Sequence, residues 1–495
     1  MLRLKSCVQV ALFLLLGGCT VRGEVIELTL DRAVEIAMNN SYRIRQLKLG
    51  IERSRQWLKA ERAGLKSKVY MNIKAPEFSA VSDYKWDSIQ GKDIIVRRNT
   101  QMWWMNLAIS QPVMLFGYPT DGYLSINSRV YRYNQLDDQF WDAAYYNRFF
   151  LRFEQPFFQP NRLKNDLERA ELRLEESELQ FLDDQVDLID DIAADYYALY
   201  RSAYEDQILE RFAQNLARLE DIADCGAAEN GKSIECLQIQ IELANAREKK
   251  AQNLSKFRQQ ATRIKQRLRL NSADSLVIYP QIVMSAPLTI DLEEALNYAY
   301  SLQPRLRLLE ISRRQNQIDL TNVKGYNSFR VNVEMTYGLE KQDEDFDKLW
   351  NSYDNSYSAT VNAYIPLWDW GQRSARIEAQ TITIRKTELS IEEARTKIEA
   401  DVRTAVENVQ EYQQRALSMK NNFEMAEEMT AVSLDQYGRK LISLQDMLQV
   451  LNRQRETESN FLEAYLGFRK SLLTLMIDTY YDYENHIKLL DKYSS

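Results

Sequence analysis

The chain states one pattern twice, at an offset of about 262 residues. Leu28, Thr29, Leu30, Asp31, Arg32, Ala33 and Val34 open a stretch that runs through Ala37 to Ile44. Ile290, Asp291, Leu292, Glu293, Glu294, Ala295 and Leu296 open a second that runs through Ala299 to Leu306. The register holds without a gap. Val69, Met71 and Ile73, an alternating run, fall on Val331, Val333 and Met335. Each copy reads as helix, then strand. Repetition at this scale points to a duplicated structural unit rather than a single enzyme core.

The first residues set the expected compartment. Arg3 and Lys5 are basic, Val8 to Leu16 is apolar, and Leu16, Gly17 and Gly18 lead into Cys19. The apolar run is too short to span a bilayer, so residues 1–18 read as a cleaved signal peptide. The small residues before Cys19 match the lipobox of bacterial lipoproteins, which implies cleavage there and lipidation of the thiol. A plain secretory cleavage nearby is the other reading. Thr20 is not the aspartate that retains lipoproteins in the inner membrane, so outer-membrane sorting is implied. No later stretch has ~20 uninterrupted apolar residues, and no transmembrane helix is expected.

Composition narrows the class. Only 15 glycines and 9 prolines in 495 residues favour long uninterrupted helices. A formal charge of −7 argues against a nucleic-acid partner. Leu182, Val186, Ile189, Ala193, Tyr196, Tyr200 and Tyr204 recur at alternating spacings of three and four. So do Ala405, Val409, Tyr412, Ala416, Met419, Phe423 and Ala426. Such stripes are coiled-coil seams. Arg162 to about Ile222 reads as one helix of roughly 90 Å, and Gly371 to about Tyr437 as its counterpart. Shorter helices are expected at Asp31–Ala60, Ser233–Leu268, Glu293–Leu320 and Ser443–Tyr480.

Alternating segments lie between the helices. Val69, Met71, Ile73 and Ala75 alternate with Lys68, Tyr70, Asn72 and Lys74; Phe149, Leu151 and Phe153 alternate with Arg148, Arg152 and Glu154. Val331 to Tyr337 and Tyr357 to Ile365 behave alike. A soluble sheet over a core gives this pattern, and so does a membrane barrel with lipid outside and water inside. The export signal favours the barrel. One chain has too few strands to close a wide lumen, and an open edge is not tolerated in lipid. The barrel must then be shared between copies, most simply by cyclic symmetry.

These features together resemble the outer membrane efflux protein (TolC-like) family across the mature chain. The two repeat openings match the family's helix starts. Ile365, Pro366, Leu367, Trp368, Asp369, Trp370 and Gly371 resemble its strand-to-helix junction, with Gln155, Pro156, Phe157 and Phe158 as the first-half equivalent. Ala431 to Leu448, with Tyr437, Gly438 and Ser443, resembles its helix-turn-helix near the periplasmic tip. The resemblance implies a mainly helical fold with membrane strands. Long antiparallel coiled-coil helices would form a periplasmic tunnel, and the strands a trimeric outer-membrane barrel. It implies a homotrimer that works with a periplasmic adaptor (membrane fusion) protein and an inner-membrane pump, in contact with outer-membrane lipid. Small-molecule efflux and type I protein secretion are not separated by these residues. A structural periplasmic coiled-coil lipoprotein is the alternative of a different class.

The expected organisation is a signal peptide at 1–18, a first repeat at 19–270, a linker at 271–287, a second repeat at 288–487 and a C-terminal tail at 488–495. The first repeat carries an insertion at about 75–147. Within it Trp103–Val113 and Gly122–Tyr133 alternate, separated by the turn-rich Phe116 to Gly122. Added to the wall, this hairpin gives six strands per chain and places its Pro119 turn on the periplasmic side. Otherwise it folds outside the membrane.

No catalytic constellation, P-loop, cofactor site or metal site is expected. The one histidine, His486, lies near the C-terminus, and Asp183, Asp184, Asp190 and Asp191 read as solvated helix faces. The functional candidates are the helix-turn-helix tips: Asp221, Asp224 and Glu229 in the first, Asp435, Tyr437, Gly438 and Arg439 in the second. In a threefold pore an inward acid becomes a ring of three that selects cations; the alternative is ordinary polar turn residues. Pro156, Pro366 and Gly371 mark the strand-to-helix junctions, where a proline is expected to end pairing. Cys225 and Cys236 flank the first tip and are expected to form a disulfide, with two free thiols as the alternative.

Overall fold

A computed structural model describes residues 25–137, 140–225, 233–284 and 287–493. The signal segment 1–18, the lipidation candidate Cys19, the tip residue Glu229 and linker residues 285 and 286 lie outside the described residues. In chain order the elements are β1 (Val25–Glu27), α1 (Leu30–Asn40), α2 (Tyr42–Gly64), β2 (Lys68–Asp87), β3 (Lys92–Leu115), β4 (Tyr118–Asp137), β5 (Phe140–Phe157), α3 (Arg162–Ile222) and α4 (Ile234–Leu268). Then come β6 (Ser275–Val277), α5 (Leu292–Leu302), α6 (Pro304–Gly325), β7 (Arg330–Asp343), β8 (Asp354–Tyr364), α7 (Gln372–Gly438), α8 (Leu444–Thr479), β9 (Tyr481–Asp482) and β10 (Ile487–Lys488). The starts of α1 and α5, of α2 and α6, and of β2 and β7 keep the sequence offset seen above.

Local chemistry fixes the helix ends. The Thr29 hydroxyl accepts the Arg32 amide at 3.2 Å and Asp291 accepts that of Glu293 at 3.3 Å, so both repeats open on a capped helix. Two helices expected to be continuous are broken. At Ser41 the amide closes α1 on the Ala37 carbonyl, and the hydroxyl accepts the Arg43 amide at 3.1 Å to begin α2. At Pro304 the ring removes a donor, and the chain restarts as α6 after Gln303.

The chain forms two compact units. One takes residues 25–49, 179–306 and 393–493, the other residues 50–178 and 307–392. The boundaries fall inside α2, α3, α6 and α7. The first unit is helical. Its core brings Val186, Ile189, Ile192 and Leu199 of α3 against Ala33, Val34 and Ala37 of α1, Ile264 and Leu268 of α4, Val402 and Val409 of α7, and Leu462 and Leu475 of α8. The seam residues Val186, Ile189, Ala193, Tyr200 and Tyr204 are buried, whereas Leu182 is exposed. Two stretches expected as linker and tail are built into this unit. β6 pairs in parallel with β1, and near the C-terminus Lys492 and Tyr493 reach Asp31 at 2.8 and 2.9 Å.

The second unit contains a six-stranded sheet in the order β2-β3-β4-β5-β7-β8, antiparallel at every step. The alternating segments of the insertion are part of it, as β3 and β4.

Candidate functional site

The sheet has two chemically different faces, because successive side chains in a strand point opposite ways. One hydrogen-bonded row crosses all six strands as Val69, Ile109, Ile126, Leu151, Tyr337 and Tyr357. These side chains are large, apolar and substantially exposed; Ile109 and Ile126 are each 41% exposed. The neighbouring row, one residue away, reads Lys68, Ser110, Ser125, Arg152, Thr336 and Ser358. A further row on that polar face reads Asn72, Asn106, Arg129, Arg148, Glu340 and Asp354.

The polar face is the more crowded. Ala108, Asn106, Asn127 and Phe150 on it are buried. Arg148 pairs with Glu340 at 2.7 Å and Arg152 with Glu334 at 3.1 Å. Both guanidinium groups lie over the Phe150 ring, at 5.0 and 5.5 Å. Phe150 fits because its neighbour on β7 is Gly338; a Cβ there would come within 2.8 Å of Phe150 Cβ. Tyr131 and Tyr146 stack at 4.4 Å beside Trp104, which carries Arg129 at 5.4 Å.

At the strand-to-helix junctions the structure corrects one expectation. Pro156 does not end pairing. It lies inside β5 opposite Asn332, and the strand continues to Phe157. A proline forfeits only its own N–H, and the Pro156 carbonyl still accepts the Gln155 side-chain amide at 3.0 Å. The turn comes later, at Phe158 with φ 62°. Pro366 does follow the end of β8, and Trp370 and Gly371 then take φ of 56° and 81° before α7. Asp369 makes this turn work. Its carboxylate accepts the amides of Gly371 and Arg373 at 3.0 Å and the Asn327 side chain at 3.1 Å. The Arg373 amide foremost, with that side chain, holds its pKa below the usual carboxylate range. At the first junction the inserted hairpin is tied to the start of α3. The Asn161 side chain donates to the Pro119 carbonyl, and Asp121 accepts the Leu163 amide at 3.4 Å.

Exposed aromatics collect at these junctions. Phe116, Tyr118, Phe158, Phe329, Trp368 and Trp370 all remain open, Trp370 at 89%.

The tips lie in the helical unit. Phe212, Leu216 and Leu219 of α3, Ile239 and Leu243 of α4, and Leu444, Met447 and Leu451 of α8 form a separate small core, with Tyr437 and Leu448 at its margin. Burial pushes the Tyr437 phenol up. Cys225 and Cys236 are bonded, with Cα atoms 5.6 Å apart. Asp221 and Asp224 are exposed, and Asp224 takes φ 53° just past α3. Asp435 is also exposed, but Arg439 one turn on pairs with it at 2.9 Å. Gly438 ends α7 against Ile222 at the end of α3. Ser443 and Asp446 then cap α8 reciprocally, each amide accepted by the other side chain at 3.2 Å.

Residues 292–476, from α5 to near the end of α8, match the outer membrane efflux protein family. That stretch, in the second half of the chain, is similar to the family. The fold agrees over nearly the whole length. The OprN outer-membrane channel superposes with a TM-score of 0.66 at 14% identity, covering 91% of this chain and 89% of that one. VceC, an outer membrane protein of Vibrio cholerae, gives 0.65 at 12% identity, covering 91% and 95%. The MtrE outer membrane channel of Neisseria gonorrhoeae, in its open state, gives 0.60 at 14% identity, covering 91% and 88%. At these identities the likeness is one of fold. A search of curated proteins finds no match.

The structure gathers the expected tip residues Asp221, Asp224, Asp435, Tyr437, Gly438 and Arg439 into one unit, Tyr437 beside its small core. It also shows roles that the sequence reading did not assign. Asp369, Asn161 and Asp121 hold the junctions. The signal for the first two was present, since Asp or Asn just before a helix is a capping residue.

Proposed function

We propose that the chain is the outer-membrane channel of a tripartite export system. It would pass substrates from an inner-membrane pump and periplasmic adaptor to the exterior. The observation that carries this reading is the sheet: an apolar face and a polar face run in register across six strands, and both edges are open. Each unpaired backbone group exposed to hydrocarbon costs several kcal/mol. Such a sheet is stable in a membrane only as part of a closed barrel, and three copies close it in this reading. The apolar face then meets lipid, the Arg148 and Arg152 face lines the lumen, and the aromatics near Trp368 and Trp370 sit at the membrane boundary.

In the same reading the long helices form the periplasmic tunnel, the tips around Asp224 and Asp435 narrow it and meet the adaptor, and Cys19 carries the lipid anchor. No reaction is assigned to the chain; energy comes from the pump. Native mass spectrometry of detergent-extracted membranes tests the assembly. A trimer whose mature chain begins at a lipid-modified Cys19 is expected. A monomer that stays soluble without detergent would point to a periplasmic scaffold instead.

A further inference from the structure

We infer that the β3–β4 hairpin is part of the membrane wall, and that β8 of each copy pairs with β2 of the next, so that three six-stranded sheets close an eighteen-stranded barrel. The inference rests on the channel reading above. The family match, at 292–476, does not reach the hairpin.

Three observations carry it. First, the hairpin is as amphipathic as the strands around it. Leu107 and Ile109 of β3 and Leu124 and Ile126 of β4 share the apolar face, and Asn106, Asn127 and Arg129 share the polar one. A hairpin lying in water would have no reason to keep Ile109 and Ile126 together and exposed on one side. Second, the parity is right. β2 and β8 are the two edges of an antiparallel sheet with an even number of strands. They run in opposite directions, so the contact between copies is antiparallel like every contact within the chain.

Third, the ends of the edge strands have the offset a barrel needs. Lys68, where β2 begins, shares a row with Ser358, whereas β8 continues to Tyr364 before the chain turns to α7. Both ends meet a helix, so in a closed ring both belong at one membrane level. A rise of about six residues over a repeat of six strands corresponds to a strand tilt of about 35°, using ~3.4 Å per residue and ~4.8 Å between strands. Barrel strands tilt by about 35–45°. Levelling Lys68 with Tyr364 sets Met71 beside Val361 and Ile73 beside Ala359 on the lipid side, and Asn72 beside Thr360 on the lumen side. Both faces therefore continue unbroken from copy to copy.

The consequence is a wider mouth. Barrel diameter grows roughly linearly with strand number, so the eighteen-stranded wall is about 1.5 times as wide as a twelve-stranded one. Selection of substrate then falls to the tips rather than to the barrel.

Spin labels at single cysteines in the reconstituted full-length protein test this. Leu107→Cys and Ile126→Cys report on the hairpin, Val333→Cys and Val361→Cys on the strands common to the family. Equally high access to oxygen and low access to a nickel chelate at all four sites is expected. Nickel access at 107 and 126, with 333 and 361 still in lipid, would place the hairpin outside the wall and overturn the inference alone. Nickel access at all four would overturn the channel reading beneath it. The Asn72→Cys/Thr360→Cys double variant is expected to yield covalent trimers on oxidation; failure to cross-link would overturn the proposed pairing.

Discussion

At Asp478 a carboxyl group on α8 meets two others, Asp401 of α7 and Asp190 of α3. Burial first, and then the two neighbouring charges, push its pKa up to about 6. The sign of the effect follows. Near pH 8 the group is ionised in both folded and unfolded chains, and the folded state bears the cost. Well below pH 4 it is protonated in both, and the cost disappears. Stability contributed at this site therefore falls as pH rises from about 4 to 6. Asp478→Asn is expected to stabilise the helical unit by up to about 3 kcal/mol near pH 8, and by roughly 0.5 kcal/mol near pH 4. Thermal unfolding at the two pH values checks it; an equal shift at both would remove the linkage. In the sequence, Asp183, Asp184, Asp190 and Asp191 read only as solvated helix faces. Their partners lie far away in the chain: Asp184 accepts a bond from Arg43, 141 residues earlier, and Asp191 pairs with Arg267 at 3.0 Å. Spacing along one helix does not reveal such pairs.

Among the elements, Gly467 of α8 faces Tyr412 of α7. A Cβ at Gly467 would lie 2.5 Å from Tyr412 Cδ1. Replacing a helix-interior glycine by alanine normally gains about 1 kcal/mol, but overpacking costs typically about 1–3 kcal/mol. The clash involves the body of a ring rather than a flexible end, so Gly467→Ala is expected to destabilise. Urea unfolding checks it; a rise in midpoint would show that Tyr412 moves aside freely. The long helices were legible to within a residue or two, because sustained seams and caps such as Ser233 and Ser443 bound them. The breaks at Ser41 and Pro304 were written in the sequence and passed over in favour of continuous periodicity. The strands were found, but their length was not. β2 and β3 run to Asp87 and from Lys92, beyond the band where a two-sided environment imposes alternation. There a register shift between Lys74 and Glu77 also breaks the pattern.

For the whole molecule, the repeated openings and the junction and tip patterns carried the family resemblance, and the structure supplied what pattern alone left open: the hairpin belongs to the sheet. The sequence pattern implied a wall shared between copies but not which strands meet; in the proposed trimer those are the edges β2 and β8. If this protein is a conduit, single-channel recording in planar bilayers will show it. Purified trimers are expected to give discrete, cation-selective conductance steps that multivalent cations block. Asp224→Ala should raise the conductance and weaken the block. Asp435→Ala should do so less, because Arg439 already neutralises that carboxylate. Folded trimers that insert into the bilayer yet pass no current under any potential would contradict the account.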